Sequence, residues 1–244
     1  MSKFSRRSFL KKGTVALGGV TLGATGLFGM SPAFAQDVAA SDDVQTILNV
    51  ASTAELFATT HYLAAINAVI SGDLAIEEDD LAYLKAAFLA EQDHLELLLS
   101  LGAEPVVSEF YVPDGLFTDV AAFTATTEVA ETTFVSAYLA ATRIFCDAGE
   151  TGFAVTTAQI ATVEAEHRLL VRDIGMLLPN DRSYAEFQFM NVSDAVPVLQ
   201  PFLDGDAEGF VGPVAPPTAD DIASIRAEAD ELGYNNDILP FAAM

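Results

Sequence analysis

Residues 81–98 read LAYLKAAFLAEQDHLELL. Leu81, Leu84, Phe88, Leu95 and Leu98 recur at spacings of three, four or their sum, seven, which is the stripe of a helix with one buried face. Glu91 falls on that stripe, three residues after Phe88 and four before Leu95. His94 lies one turn further on, on the same side. A bare carboxylate facing a core is strongly unfavourable. It has to be protonated, paired or bound to a metal ion, and the rest of the chain can be read as the answer to that demand.

Three more helical runs surround this one. The first covers about 44–70, with Ile47, Ala51, Ala54, Ala58, Tyr62, Ala65 and Val69 on one stripe and Glu55 at its edge. Ser41, Asp42 or Asp43 can cap its start, and Ser71-Gly72-Asp73 breaks it. The second, about 78–101, contains the opening stretch and ends at Gly102. Residues 103–122 show no long helical period and contain the turn Pro113-Asp114-Gly115. That connection is long for a hairpin but can cross the length of a bundle. The third run, about 121–148, carries Thr127, Glu131, Phe134, Tyr138, Ala141 and Phe145 on one stripe. The fourth, about 156–178, is expected to be capped by Thr156 or Thr157 and stopped by Pro179, with Ile160, Glu164, His167, Val171, Ile174 and Leu178 inward. Two helical hairpins joined by a long crossover give an all-α four-helix bundle. Within residues 180–244, short helices are expected at 193–203 and 220–232. This C-terminal extension is expected to wrap the bundle and bury Phe187, Phe189, Phe202, Phe210 and Phe241, or to mediate oligomer contacts.

The two halves repeat one pattern. Glu55 precedes Tyr62 by seven residues and Glu91-x-x-His94 follows; Glu131 precedes Tyr138 by seven and Glu164-x-x-His167 follows. Seven residues make nearly two turns, so each Glu shares a face with its Tyr. The chain has three histidines, and two of them occupy the repeated motif. The third, His61, fits no such motif and is expected at the surface or its boundary.

This constellation resembles that of the ferritin-like di-metal carboxylate proteins, in which two helices each give a Glu and two give Glu-x-x-His. Leu48-Asn49-Val50-Ala51 before Glu55, and Ala137-Tyr138 after Glu131, resemble the exported ferritin-like group that includes plant desiccation-related proteins. The likeness covers about 44–203. It implies metal ligands at Glu55, Glu91, His94, Glu131, Glu164 and His167, with Glu91 and Glu164 bridging two ions. That group often carries a second Glu one turn after the first, where this chain has Ala58. Four carboxylates balance two divalent cations. Carboxylate and imidazole donors suit two iron or two manganese ions and also accept zinc. Tyr62 and Tyr138 are expected either to donate to carboxylates or simply to pack in the core. The resemblance implies dioxygen, peroxide or ferrous iron as partners, in a redox enzyme, an iron-storage subunit or a stress-protective structural protein, with a homo-oligomer among the open assemblies.

Charge narrows the partners further. Beyond residue 35 the chain has 35 acidic side chains against six basic ones, a net of −29. That argues against nucleic acid or an anionic membrane surface. Cys146 is the single cysteine, so no intrachain disulfide exists, and a buried thiol is expected. At the start, Ser5-Arg6-Arg7-Ser8-Phe9-Leu10-Lys11-Lys12 resembles a twin-arginine export signal. The apolar, Gly-rich run 13–30 and Ala33-Phe34-Ala35 suit cleavage after residue 35, with a retained membrane anchor as the alternative. Export to the periplasm or beyond follows from that reading.

Overall fold

The computed structural model describes residues 41–235 and 237–241. The export motif and cleavage site lie outside the described residues. Helix α1 spans Val44–Ser71, and of the three candidate caps it is Asp43 whose carboxylate accepts the Thr46 N–H, at 2.7 Å. Gly72 ends it in the left-handed conformation, φ 85°, and returns its N–H to the last turn. Helix α2, Glu78–Ser100, begins with Glu78, Asp79 and Asp80 at the positive end of its dipole. Helix α3, Val120–Ala148, is capped by Asp119, which accepts from the N–H groups of Ala121 and Ala122 at 2.8 and 3.1 Å.

Helix α4 runs from Thr151 to Ile174. It therefore starts five residues before the expected cap. Gly149, at φ 78°, reverses the chain almost alone, so helix resumes after Glu150. The Thr157 hydroxyl caps nothing and instead donates to the Phe153 carbonyl one turn back, at 2.9 Å, a bond that lets threonine sit inside a helix. The helix also stops short of 178. Met176 takes a positive φ, 57°, and Leu178, expected to face inward, is exposed.

The bundle is thus two hairpins, α1–α2 and α3–α4, joined by residues 101–119. That crossover holds a strand the sequence reading did not anticipate, β1, Phe110–Pro113. It pairs antiparallel with β2, Phe210–Val214, with Phe110 opposite Val214 and Pro113 opposite Phe210. Phe110 is fully buried and packs on Phe57 of α1, ring centroids 5.6 Å apart.

The extension lies on the bundle. A 3₁₀ turn, Val192–Ala195, leads into α5, Val196–Asp204. Asp42 ties the turn to the start of α1, accepting from Ser193 N–H at 2.8 Å and from its hydroxyl at 2.7 Å. The last helical run is broken into α6, Ala219–Arg226, and α7, Ala229–Leu232, both against α2. Lys85 of α2 reaches Glu228 at 2.5 Å, and Arg226 reaches Asp93 and Glu96 at 2.8 and 2.9 Å. Of the five phenylalanines expected inside, Phe189 is buried, and Phe202 and Phe210 are half-buried against each other. Phe187 and Phe241 remain about half exposed, because the segments carrying them lie at the surface.

Two clusters of the apolar core lie along the bundle on either side of the buried glutamates. Ile66, Leu84, Phe88, Phe123, Val171 and Ile174 fill one, and Leu48, Ala51, Leu98, Ile160 and Ala161 fill the other. On α1, α2 and α4 the stripe passes from one of these clusters to the other through Glu55, Glu91 and Glu164 respectively.

Candidate metal centre

The helices that carry the repeat bring its six residues together. Glu55 comes from α1, Glu91 and His94 from α2, Glu131 from α3, Glu164 and His167 from α4. All four carboxylates are at most 1% exposed. His94 Nδ1 lies 3.3 Å from Glu164, 3.4 Å from Glu91 and 3.8 Å from Glu55. His167 Nδ1 lies 2.8 Å from Glu91, 3.4 Å from Glu164 and 4.0 Å from Glu131. Two sets of donor atoms result, each within 4.8 Å: Glu55, Glu91, His94 and Glu164; and Glu91, Glu131, Glu164 and His167. Glu91 and Glu164 belong to both. These groups could hold metal ions.

The tyrosines cross between the halves. Tyr62 of α1 donates to Glu131 Oε1 of α3 at 2.5 Å, and Tyr138 of α3 donates to Glu55 Oε1 of α1. Each outer glutamate therefore has one oxygen fixed by a phenol from the opposite hairpin. Its other oxygen faces the middle.

Those inward atoms decide whether the residues fit a cation. Eight buried side-chain atoms among the described residues have no hydrogen-bond partner, and six of them belong to this cluster: Glu55 Oε2, Glu91 Oε2, His94 Nδ1, Glu131 Oε2 and both oxygens of Glu164. Buried donors and acceptors are normally satisfied. Here the unsatisfied ones converge, which suits cations at the centre.

Protons carry the electrostatics where no cation does. Burial, then the charges of Glu91 and Glu164, push the Glu55 carboxyl well above its ordinary range. Burial and the Glu91 charge do the same to Glu131. Burial works upward on Glu91 too, but the charge and hydrogen bond of His167 outweigh it and hold that carboxyl well below the usual value. Burial pulls both imidazoles down, yet the carboxylates around them prevail, so His94 and His167 are raised well above 6.5. Burial and the adjacent carboxylates push both phenols up.

Several expectations need correction. His61 is buried, not at the boundary: it sits at 3% exposure, stacked on Phe123, with Nε2 2.8 Å from Thr127 Oγ1. Its surroundings are rings, and the sequence carried that signal in Phe57, Phe117 and Phe123. Cys146 is exposed, because it lies on the outward side of the last turn of α3. Ala58 is buried among Phe57, Phe110 and Phe134, so the position of the second family Glu belongs to an apolar cluster. Glu128 accepts from Arg168 at 2.6 Å and also pairs with Arg172. Asp93 and Glu96 pair with Arg226. Glu166 is exposed. Arg168, missed by pattern reasoning, is buried immediately after His167 and also reaches Asp181 at 3.0 Å.

Fold and cluster together define a class: an all-α bundle of two hairpins with a buried carboxylate–imidazole cluster between two apolar parts of its core. The family described as ferritin-like domain matches residues 42–176, more than half of the chain, and the chain belongs to that family. Comparison with curated proteins and with solved structures finds no match. No helix among the described residues is long and apolar enough to cross a membrane.

Proposed function

We propose that this is an exported protein with a dinuclear iron or manganese centre that performs redox chemistry, either oxidation of ferrous iron or reduction of dioxygen or peroxide. The observation that carries the reading is the pair of overlapping donor sets, joined through Glu91 and Glu164. Glu91 and Glu164 would bridge two ions, Glu55 and His94 would complete one set, and Glu131 and His167 the other. Two such ions would supply the electrons for dioxygen or peroxide, or accept them from ferrous iron. Tyr62 and Tyr138 keep the outer carboxylates turned inward. The two apolar clusters keep water from the carboxylates. Both imidazoles line an open groove, which favours turnover over a purely structural ion.

Protein purified without chelator is expected to hold about two iron or manganese ions per chain. A Glu91→Ala, Glu164→Ala double variant is expected to lose them while its circular dichroism stays helical. No metal after reconstitution, or ferrous oxidation and peroxide turnover that survive the double change, would sink the proposal. Export rests on the twin-arginine stretch. Changing Arg6 and Arg7 to Lys is expected to hold the chain in the cytoplasm on fractionation; unchanged export would refute that part.

A further inference from the structure

We propose that residues 237–241 form a strap across the groove between α2 and α4, which limits by size what reaches the cluster from the side of His94 and His167. The groove measures about 690 Å³, and both imidazoles line it. It is where the cluster is least enclosed. The His94 and His167 side chains keep 12% and 8% exposure, while all four glutamates are sealed. A solute that meets the centre from this side therefore travels along this groove. Ala90 and Leu97 of α2 form one wall, and Val163 and Leu170 of α4 the other. Ile238, Leu239 and Pro240 supply a third side.

The course of the chain makes that third side a strap. Before it, the extension is tied to α2: Tyr234 donates to Asp93, the residue preceding His94, at 2.8 Å. At its far end the Phe241 N–H donates to Gln159 of α4 at 2.9 Å. The chain thus passes from the wall that carries His94 to the wall that carries His167. Its hold on α4 is light. Residues 237–240 form no helix or strand, and Ile238, Leu239 and Phe241 stay 72%, 57% and 47% exposed. An exposed hydrogen bond such as that of Phe241 shifts a population by only about fivefold. The strap can therefore lift by local opening while the bundle stays folded. Dioxygen and peroxide are small enough to enter with the strap down, whereas a bulky solute must wait for it to lift. The proposal rests on the dinuclear reading for what lies behind the strap, not for the strap itself.

The test places a thiol inside the groove of the metal-free full chain, by Ala90→Cys. The native Cys146 is exposed on α3 and serves as the reference thiol. Labelling is followed by peptide mass spectrometry with two neutral reagents, small methyl methanethiosulfonate and bulky N-(1-pyrenyl)maleimide. Ending the chain after Asn235 is expected to speed the bulky reagent at position 90 about tenfold. The small reagent, and both reagents at Cys146, should stay within about twofold. Gln159→Met keeps the bulk of the wall and removes the acceptor for Phe241, so about a fivefold gain is expected for the bulky reagent. Val163→Cys on the opposite wall should give the same order. Bulky labelling that ignores both changes overturns the proposal, and so does an equal gain for both reagents, which would mean general loosening. Manganese content of the same proteins tests the centre separately. Strap-dependent labelling in a chain that binds no manganese would remove the dinuclear reading and keep the strap, and strap-independent labelling in a chain that binds it would do the reverse.

Discussion

His61 and the two motif histidines are the same residue type in opposite electrostatic states. Thr127 gives its hydroxyl proton to the Phe123 carbonyl at 2.8 Å, so it can only accept from His61. The imidazole must carry its proton on Nε2, and the buried Nδ1 is left without a partner. No carboxylate faces this ring, and burial alone lowers its pKa to about 4. His94 and His167, a little less enclosed but ringed by carboxylates, go the other way. The sign of the His61 effect follows from linkage. The unfolded chain takes up a proton near 6.5, the folded chain only near 4, so stability is lost as pH falls through that window. The full loss is about 3 kcal/mol. His61→Phe keeps the ring packing and removes the titration. Urea unfolding of metal-free protein should therefore show a flatter acid limb for the variant between pH 6.5 and 4. An acid limb as steep as that of the unsubstituted protein would mean that His61 is not the group responsible.

At the scale of elements, α3, α4 and the chain after α4 are joined by one polar knot. Arg168 of α4 bonds Thr132 of α3 through Nε at 3.1 Å, Glu128 of α3 at 2.6 Å and Asp181 beyond the helix at 3.0 Å. Arg172 joins the same two acids. The guanidinium is buried while its acids are partly open, so removing it empties a buried site and leaves Glu128 and Asp181 to Arg172. Arg168→Ala is expected to cost about 2 kcal/mol, read as a lowered urea midpoint at neutral pH. A loss under about 0.5 kcal/mol would class the knot with ordinary surface pairs. This knot marks what pattern reading could not reach. The helices were legible because each stripe repeats every three or four residues. The cluster was legible because Glu and Glu-x-x-His recur in register, so one helix checks the other. Arg168 has no such repeat; its partners lie on another helix and in a loop. β1 has its partner about a hundred residues away, and four residues leave no period to read. The start of α4 was misplaced because Thr157 looks like a cap in sequence, and only its bond to Phe153 assigns it to the helix interior.

For the whole molecule, the question is what balances the charge. The chain beyond residue 35 carries a net of −29, and four of its carboxylates are buried at one point. Without cations, protons on His94, His167, Glu55 and Glu131 reduce the repulsion. Each of these groups has a raised folded pKa, so its contribution is present at low pH and fades as pH rises through the raised value. Glu91 is lowered and works in the opposite sense, but above its ordinary value near 4.5 its contribution is already complete. His61 is likewise complete above 6.5. Chelated protein should therefore lose stability as pH rises from about 6.5 to 8.5. Cations must displace the same protons, so their binding strengthens over the same interval. A ligand at about 100 times its dissociation constant adds about 2.7 kcal/mol to the folded state. Thermal midpoints with manganese(II) and with chelator should lie close together near pH 6.5 and separate steadily toward pH 8.5. Curves that stay parallel across that range would mean that manganese binding displaces no protons from these side chains, and that the six residues hold one another without need of an ion.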